Sequence, residues 1–156
     1  MSKLDGHVRL LKGQLDVRSW DYALHEISDR SVLMKGSCKS RSSLWNQFNF
    51  CIDVQEDKIG NTIYLPVSAK GCIPQMAEFV AYLNGCVDYG AFLLDIDDGG
   101  VSFRIALPMA ALRADEKLFL TLLDDAVDIV DLYEKEFSAI LLGKMTAKEI
   151  SDEKLL

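Results

Sequence analysis

Apolar residues recur along the chain in two periods, one near 3.6 and one of 2, and the changes between them predict the elements. Leu4, Val8, Leu11 and Leu15 fall on one stripe of an N-terminal helix, weakened at its centre by Gly13. Trp20 to Arg30 shows neither period and reads as irregular, whereas Val32 to Cys38 reads as a strand followed by a polar turn from Lys39 to Ser43. Phe48, Phe50, Ile52 and Val54 alternate with Asn49, Cys51 and Asp53, which puts four large apolar side chains on one face of a half-buried strand. After the polar turn at Gln55-Glu56-Asp57-Lys58, Ile63, Leu65 and Val67 alternate again. Pro66 lies inside that run and has no N–H to donate, so this strand is expected near a sheet edge.

Pro74 suits a first helical position, and Met76, Phe79, Val80 and Leu83 predict a helix over 74–84 with Asn84-Gly85 as a left-handed stop. Phe92, Leu94 and Ile96, then Val101, Phe103, Ile105 and Leu107, flank the turn Asp97-Asp98-Gly99-Gly100 and predict a β-hairpin. Asp115-Glu116 opens a long final helix with a stripe of Phe119, Leu122, Leu123, Ala126, Val130, Tyr133, Phe137 and Ile140, and Gly143 suits its end. Thr146-Ala147-Lys148-Glu149 has the spacing of a capping box, so 144–156 is read as a tail or a short helix. The expected fold is α+β over 1–143, in the order α-β-β-β-α-β-β-α, with helices packed on a five-stranded antiparallel sheet.

Composition narrows the function more than the fold. With 156 residues, 49% apolar and 26% charged, the chain fits one domain that buries a core without metals or disulfides. Seventeen Lys and Arg against 24 Asp and Glu leave a net charge of −7, the wrong sign for nucleic acid or anionic lipid. No apolar run approaches the length of a signal peptide or a membrane span, so a cytoplasmic protein is expected. Cys38, Cys51, Cys72 and Cys86 are too widely spaced for a zinc ribbon and are expected to be reduced and mostly buried, with no metal site formed with His7 and His25.

The motifs of catalysis do not emerge. Asp95-Ile96-Asp97-Asp98-Gly99-Gly100 begins like a calcium loop, but Ala106 stands where the loop needs its bidentate Glu, and a plain hairpin turn explains the segment. Neither histidine sits beside a nucleophile motif, and the chain has no Walker A or GxGxxG run, so no catalytic residue and no cofactor is expected. Asp124, Asp125, Asp128 and Asp131 lie opposite the apolar stripe of the final helix, as a solvated face or as an acidic patch for a basic partner.

What remains is surface. Cys51, Leu93 and Ala106 fall on the alternate face of their strands, and Leu118, Leu120, Ile129 and Leu132 lie outside the main stripe of the final helix. Trp45 precedes its strand and is expected to be partly exposed. Trp45, Leu93, Leu118, Ile129 and Leu132 are therefore the candidate partner-binding residues, for a second copy of the chain or for a peptide segment of another protein.

The stretch from Pro74 to Leu107 also resembles the YbjN domain family. The resemblance is carried by Leu83-Asn84 at a helix end, Gly90 and Phe92, Asp95, the turn Asp98-Gly99-Gly100, and Phe103-Arg104. With the Trp45 to Val67 strands and the segment Tyr133 to Gly143 it covers about residues 20–143, and Glu134-Lys135-Glu136 stands where the family often has a proline. Such domains are described as bacterial sensory transduction regulators and are similar in fold to the type III secretion chaperones, acidic cytosolic dimers that hold an extended segment of a client. The resemblance thus implies a non-enzymatic protein-binding module, regulatory or chaperone-like. The alternative is a small-molecule sensor or an enzyme with a pocket between the sheet and the final helix.

Overall fold

The computed structural model describes residues 4–41 and 44–154. Among them the chain forms six α-helices and six strands: α1 (Asp5–Val17), β1 (Asp21–Ser28), β2 (Ser31–Lys39), β3 (Gln47–Gln55), β4 (Lys58–Ser68), α2 (Ile73–Asn84), β5 (Ala91–Leu94), β6 (Gly100–Pro108), α3 (Met109–Ala114), α4 (Ala126–Leu132), α5 (Glu134–Leu141) and α6 (Ala147–Lys154). A π-helical segment, Leu120–Asp125, runs directly into α4. All strand pairs are antiparallel, in the order β1-β2-β3-β4-β6-β5. β1 to β4 form a meander. The chain then leaves through α2 and returns as a hairpin whose second strand docks on β4, which leaves β5 at the far edge.

Antiparallel partners share a face, so the register sorts the side chains directly. Met34, Ile52 and Asn61 form one cross-strand row with Ile105, and Phe50, Ile63, Phe103 and Phe92 form the next. These rows are buried beneath the helices. Phe137 of α5 sits at the centre, with ring centroids 5.0 Å from Phe79, 5.4 Å from Phe92 and 6.2 Å from Trp45. Burying an aromatic or aliphatic side chain of this size contributes about 1.5–3 kcal/mol, so this layer supplies most of the drive to fold. Asn61 is the polar exception in the layer: its Nδ2 donates to the Leu122 carbonyl at 2.9 Å and ties the π-helical segment to the middle of the sheet.

The sheet has six strands where five were expected. Asp21–Ser28, read as irregular, is β1 and pairs with β2 from Asp21↔Ser37 to Ser28↔Ser31. β4 lies inside the sheet between β3 and β6, not near an edge. Its proline is tolerated for another reason: the ladder to β3 ends at Tyr64, and the ladder to β6 is interrupted between Tyr64 and Ser68, so Pro66 falls where neither neighbour needs its N–H. The long final helix is divided into the π-helical segment, α4 and α5, with a break at Tyr133 (φ −103°, ψ 11°), and α3 precedes it. Gly85 does not adopt a left-handed stop, its φ being −78°. Gly99 (φ 76°) and Gly143 (φ 66°) do take the left-handed conformation their positions suggest. The capping box forms, with Glu149 Oε2 accepting from the Thr146 N–H and Thr146 Oγ1 from the Glu149 N–H, and α6 packs on α2 through the buried Ala147 and Ile150. Of the predicted turn Lys39–Ser43, Lys39 ends β2 and Ser42 and Ser43 lie outside the described residues.

Candidate protein-interaction surfaces

The two edges of the sheet are treated differently. β5 is only four residues long, and Asn84 at the end of α2 closes it: the Asn84 Oδ1 accepts from the Phe92 N–H at 2.7 Å and its Nδ2 donates to the Phe92 carbonyl at 3.0 Å. The side-chain amide thus occupies the place of a neighbouring strand. β1 is eight residues long, holds no lysine or proline, and among the described residues has no strand beyond it. Ala23 and His25 point to the outer face, and Ile27, at the bulge between Glu26 and Ser28, is 61% exposed. Beneath the other face of β1 runs an open groove of about 680 Å³ against α1, lined by Val8, Leu24, Ile27 and Val32 with Asp5, Arg9, Lys12, Glu26 and Asp29 around them.

A second groove, of about 440 Å³, separates α4 from the loop after α2. Asp125, Asp128, Ile129 and Leu132 line one side of it and Cys86 to Tyr89 the other. From Asp125, the residue that caps α4, these positions follow one another at i, i+3, i+4 and i+7, a stripe separate from the buried Ala126, Val127 and Val130. Leu132 is 67% exposed and Tyr89 58%. Neighbouring carboxylates are tied to loops and helix ends. Asp124 takes a bidentate pair from Arg18 at 2.7 and 3.0 Å, Asp131 accepts from the Ser40 hydroxyl and the Arg41 N–H, and Asp128 pairs with the exposed Arg41 at 2.7 Å. Burial raises the Asp128 carboxyl above its ordinary range against the opposing pull of Arg41, and Asp125, Asp124 and Asp131 add to the rise.

Among the described residues no helix covers the outer face of the sheet. Leu93, Ser102, Tyr64 and Asn49 form one cross-strand row on it, and Ala91, Arg104, Thr62 and Cys51 the next. The Arg104 guanidinium lies across Gly60, where a Cβ would come within 2.7 Å of it, so the glycine makes room for the arginine. Leu93 is exposed on this face, with a groove of about 390 Å³ beside it.

The candidate residues are thus distributed. Ile129 and Leu132 share the α4 groove, Leu93 stands on the outer sheet face, and Leu118 is half-buried against the core. Trp45, expected to be partly exposed, is 7% exposed, because its ring packs between Phe48 and Phe137. Sequence reasoning missed β1 and the loop facing α4; the one available signal for the loop was Tyr89, an aromatic flanked by Asp88 and Gly90.

The remaining reactive groups are dispersed. His7 faces Arg113, and burial, reinforced by that guanidinium, lowers its imidazole below the usual value, while His25 is exposed on β1. Of the four cysteines only Cys38 is buried, with its thiol pushed up to about 12 by burial and then by Asp131; Cys51 and Cys72 are half-buried and Cys86 is exposed, which corrects the expectation that most are buried. Glu134 is buried at the start of α5, and its carboxyl is raised by burial and by Asp131. Among the described residues no group of three or more His, Cys, Asp or Glu is placed to hold a metal ion, and no helix is long and apolar enough to cross a membrane. No protein-family model matches the chain, and no curated protein or solved structure does.

Proposed function

We propose that the chain is a non-enzymatic protein-binding module of the YbjN and type III secretion chaperone-like class, acting in the cytoplasm in a regulatory or chaperone-like role. It binds by accepting an extended segment at β1, and a second copy of the chain is one such partner, which makes it a homodimer. The observation that carries this reading is the long free edge of β1 beside a groove with an apolar floor. Main-chain hydrogen bonds at such an edge supply affinity, and alternate side chains of the added strand enter the groove and supply selectivity. The sensor or enzyme alternative needs a cavity between sheet and final helices, where Phe92, Phe103, Phe137 and Trp45 already fill the space.

The test places lysines on the edge without disturbing the core, as Ala23→Lys/Ile27→Lys. Sedimentation at micromolar concentration reads self-association, and hydrogen exchange reads the β1 amides with and without a ten-residue peptide alternating Val and Thr. Protection of Tyr22 to Ile27 by a second copy or by the peptide, lost in the lysine variant, is the expected result. A strict monomer whose β1 amides the peptide leaves unprotected, or association that the lysines do not affect, overturns it.

A further inference from the structure

The charged residues lining the α4 groove are all acidic, whereas the groove beside β1 mixes Arg9 and Lys12 with Asp5, Glu26 and Asp29. The α4 groove is lined by apolar side chains, Val87, Tyr89, Ile129 and Leu132, and by acidic ones, Asp88, Asp125 and Asp128, of which Asp125 and Asp128 are half-buried. From Asp125 to Leu132 the stripe runs about 10 Å along the helix at 1.5 Å per residue, the length over which a partner helix presents two or three apolar side chains. Asp125 at the N-cap of α4 and Asp128 within it lie three residues apart on the same stripe as the exposed Leu132. Asp128 pairs with the exposed Arg41, which an incoming cation can replace at little cost. The net charge of −7 favours the approach of a basic partner.

We propose that this groove is a docking site for a basic amphipathic helix of another protein, which lays two or three apolar side chains along Ile129 and Leu132 and sets lysines or arginines against Asp88, Asp125 and Asp128. Helix-in-groove recognition of this kind takes its affinity from the apolar anchors, and its rate of association and its selectivity from the charges. The site is separate from the β1 edge, so the chain holds two partner segments of different conformation.

Fluorescence anisotropy of the full chain with a labelled 14-residue Leu/Lys peptide, its leucines at helical spacing, tests this directly. Micromolar binding is expected, weakened about tenfold by Leu132→Ser and by Asp125→Asn/Asp128→Asn. The pair Asp95→Asn/Asp97→Asn removes the same two charges from the exposed β5–β6 turn and is expected to change affinity less than about twofold. Ala23→Lys/Ile27→Lys is expected to retain binding, which separates failure of this proposal from failure of the edge reading. Absence of binding at about 100 μM, an equal loss in the turn variant, or no loss with Leu132→Ser overturns the proposal. Self-association abolished by Leu132→Ser overturns it in favour of a second copy as the occupant.

Discussion

The two edges of the sheet solve one problem in opposite ways. At β5 the exposed main chain is short, anchored from below by Phe92 against Phe103, Tyr133 and Phe137, and closed from the side by the Asn84 amide. At β1 the main chain is twice as long, its side chains are half-buried at most, and its side is open. The half of the molecule nearest β1 is also tied to the helices by polar groups, through Arg18 with Asp124, Ser40 with Asp131 and Glu134 with the Leu44 main chain. A closed edge is a structural commitment, whereas an open one keeps its hydrogen-bonding capacity in reserve. Their coexistence in one sheet locates the free capacity of the fold at β1.

The sharpest way to break the contrast is to remove its anchor. Phe92→Ala is expected to cost about 3–5 kcal/mol in urea unfolding, whereas Leu24→Ala on β1 is expected to cost about 1 kcal/mol. Equal losses would mean that β1 is as firmly held as β5. Asn84→Ala leaves the Phe92 main-chain groups unpaired, with an expected cost of about 1–3 kcal/mol and a gain in concentration-dependent association as the closed edge opens. Native-state hydrogen exchange without any partner is expected to show β1 amides opening before those of β3 and β4, a difference that a hidden cover over β1 would erase.

The smallest effect is on pH. Burial raises the folded Glu134 carboxyl, so between its unfolded value and the raised one the native state holds a proton that the unfolded chain has lost. Its contribution is complete at the acid end of that window and is lost as pH rises through the folded value. Asp128, raised in the same direction, acts with the same sign. Melting curves followed upward in pH from the ordinary glutamate range are expected to show this slope in the parent and a flatter one in Glu134→Gln.

Much of the architecture was legible where period and burial coincide. Phe48 to Val54 read cleanly because one face of that strand is wholly buried, and the β5–β6 hairpin read correctly except at its turn, where β5 ends at Leu94, Ile96 is exposed and Gly100 already belongs to β6. β1 did not, because a strand at a solvated edge retains Asp21, His25 and Glu26 among its apolar residues and blurs the alternation. Pro66 indicated an unpaired N–H, which has two structural solutions, and the chain uses the strand end. The divisions of the final helix left no mark, since no glycine or proline stands at Tyr133 or in Leu120–Asp125. Of the candidate site, Ile129 and Leu132 were legible as apolar residues off the main stripe. The loop they face, like the burial of Trp45 under Phe137, depends on contacts between distant segments that no local pattern records.

The π-helical segment pinned by Asn61 has a consequence for how the α4 groove is inherited. Such a segment is in effect an α-helix that has accommodated an inserted residue, and each residue turns an α-helix by about 100°. Because the wide turn absorbs the extra residue, deleting one residue between Leu120 and Asp125 lets the helix close to regular geometry while Asp128, Ile129 and Leu132 keep their place opposite Tyr89, whereas a deletion at Ala126 or Val127 turns them by about 100°. The segment pinned by Asn61 is thus a place where the helix can lose a residue and the groove keep its geometry.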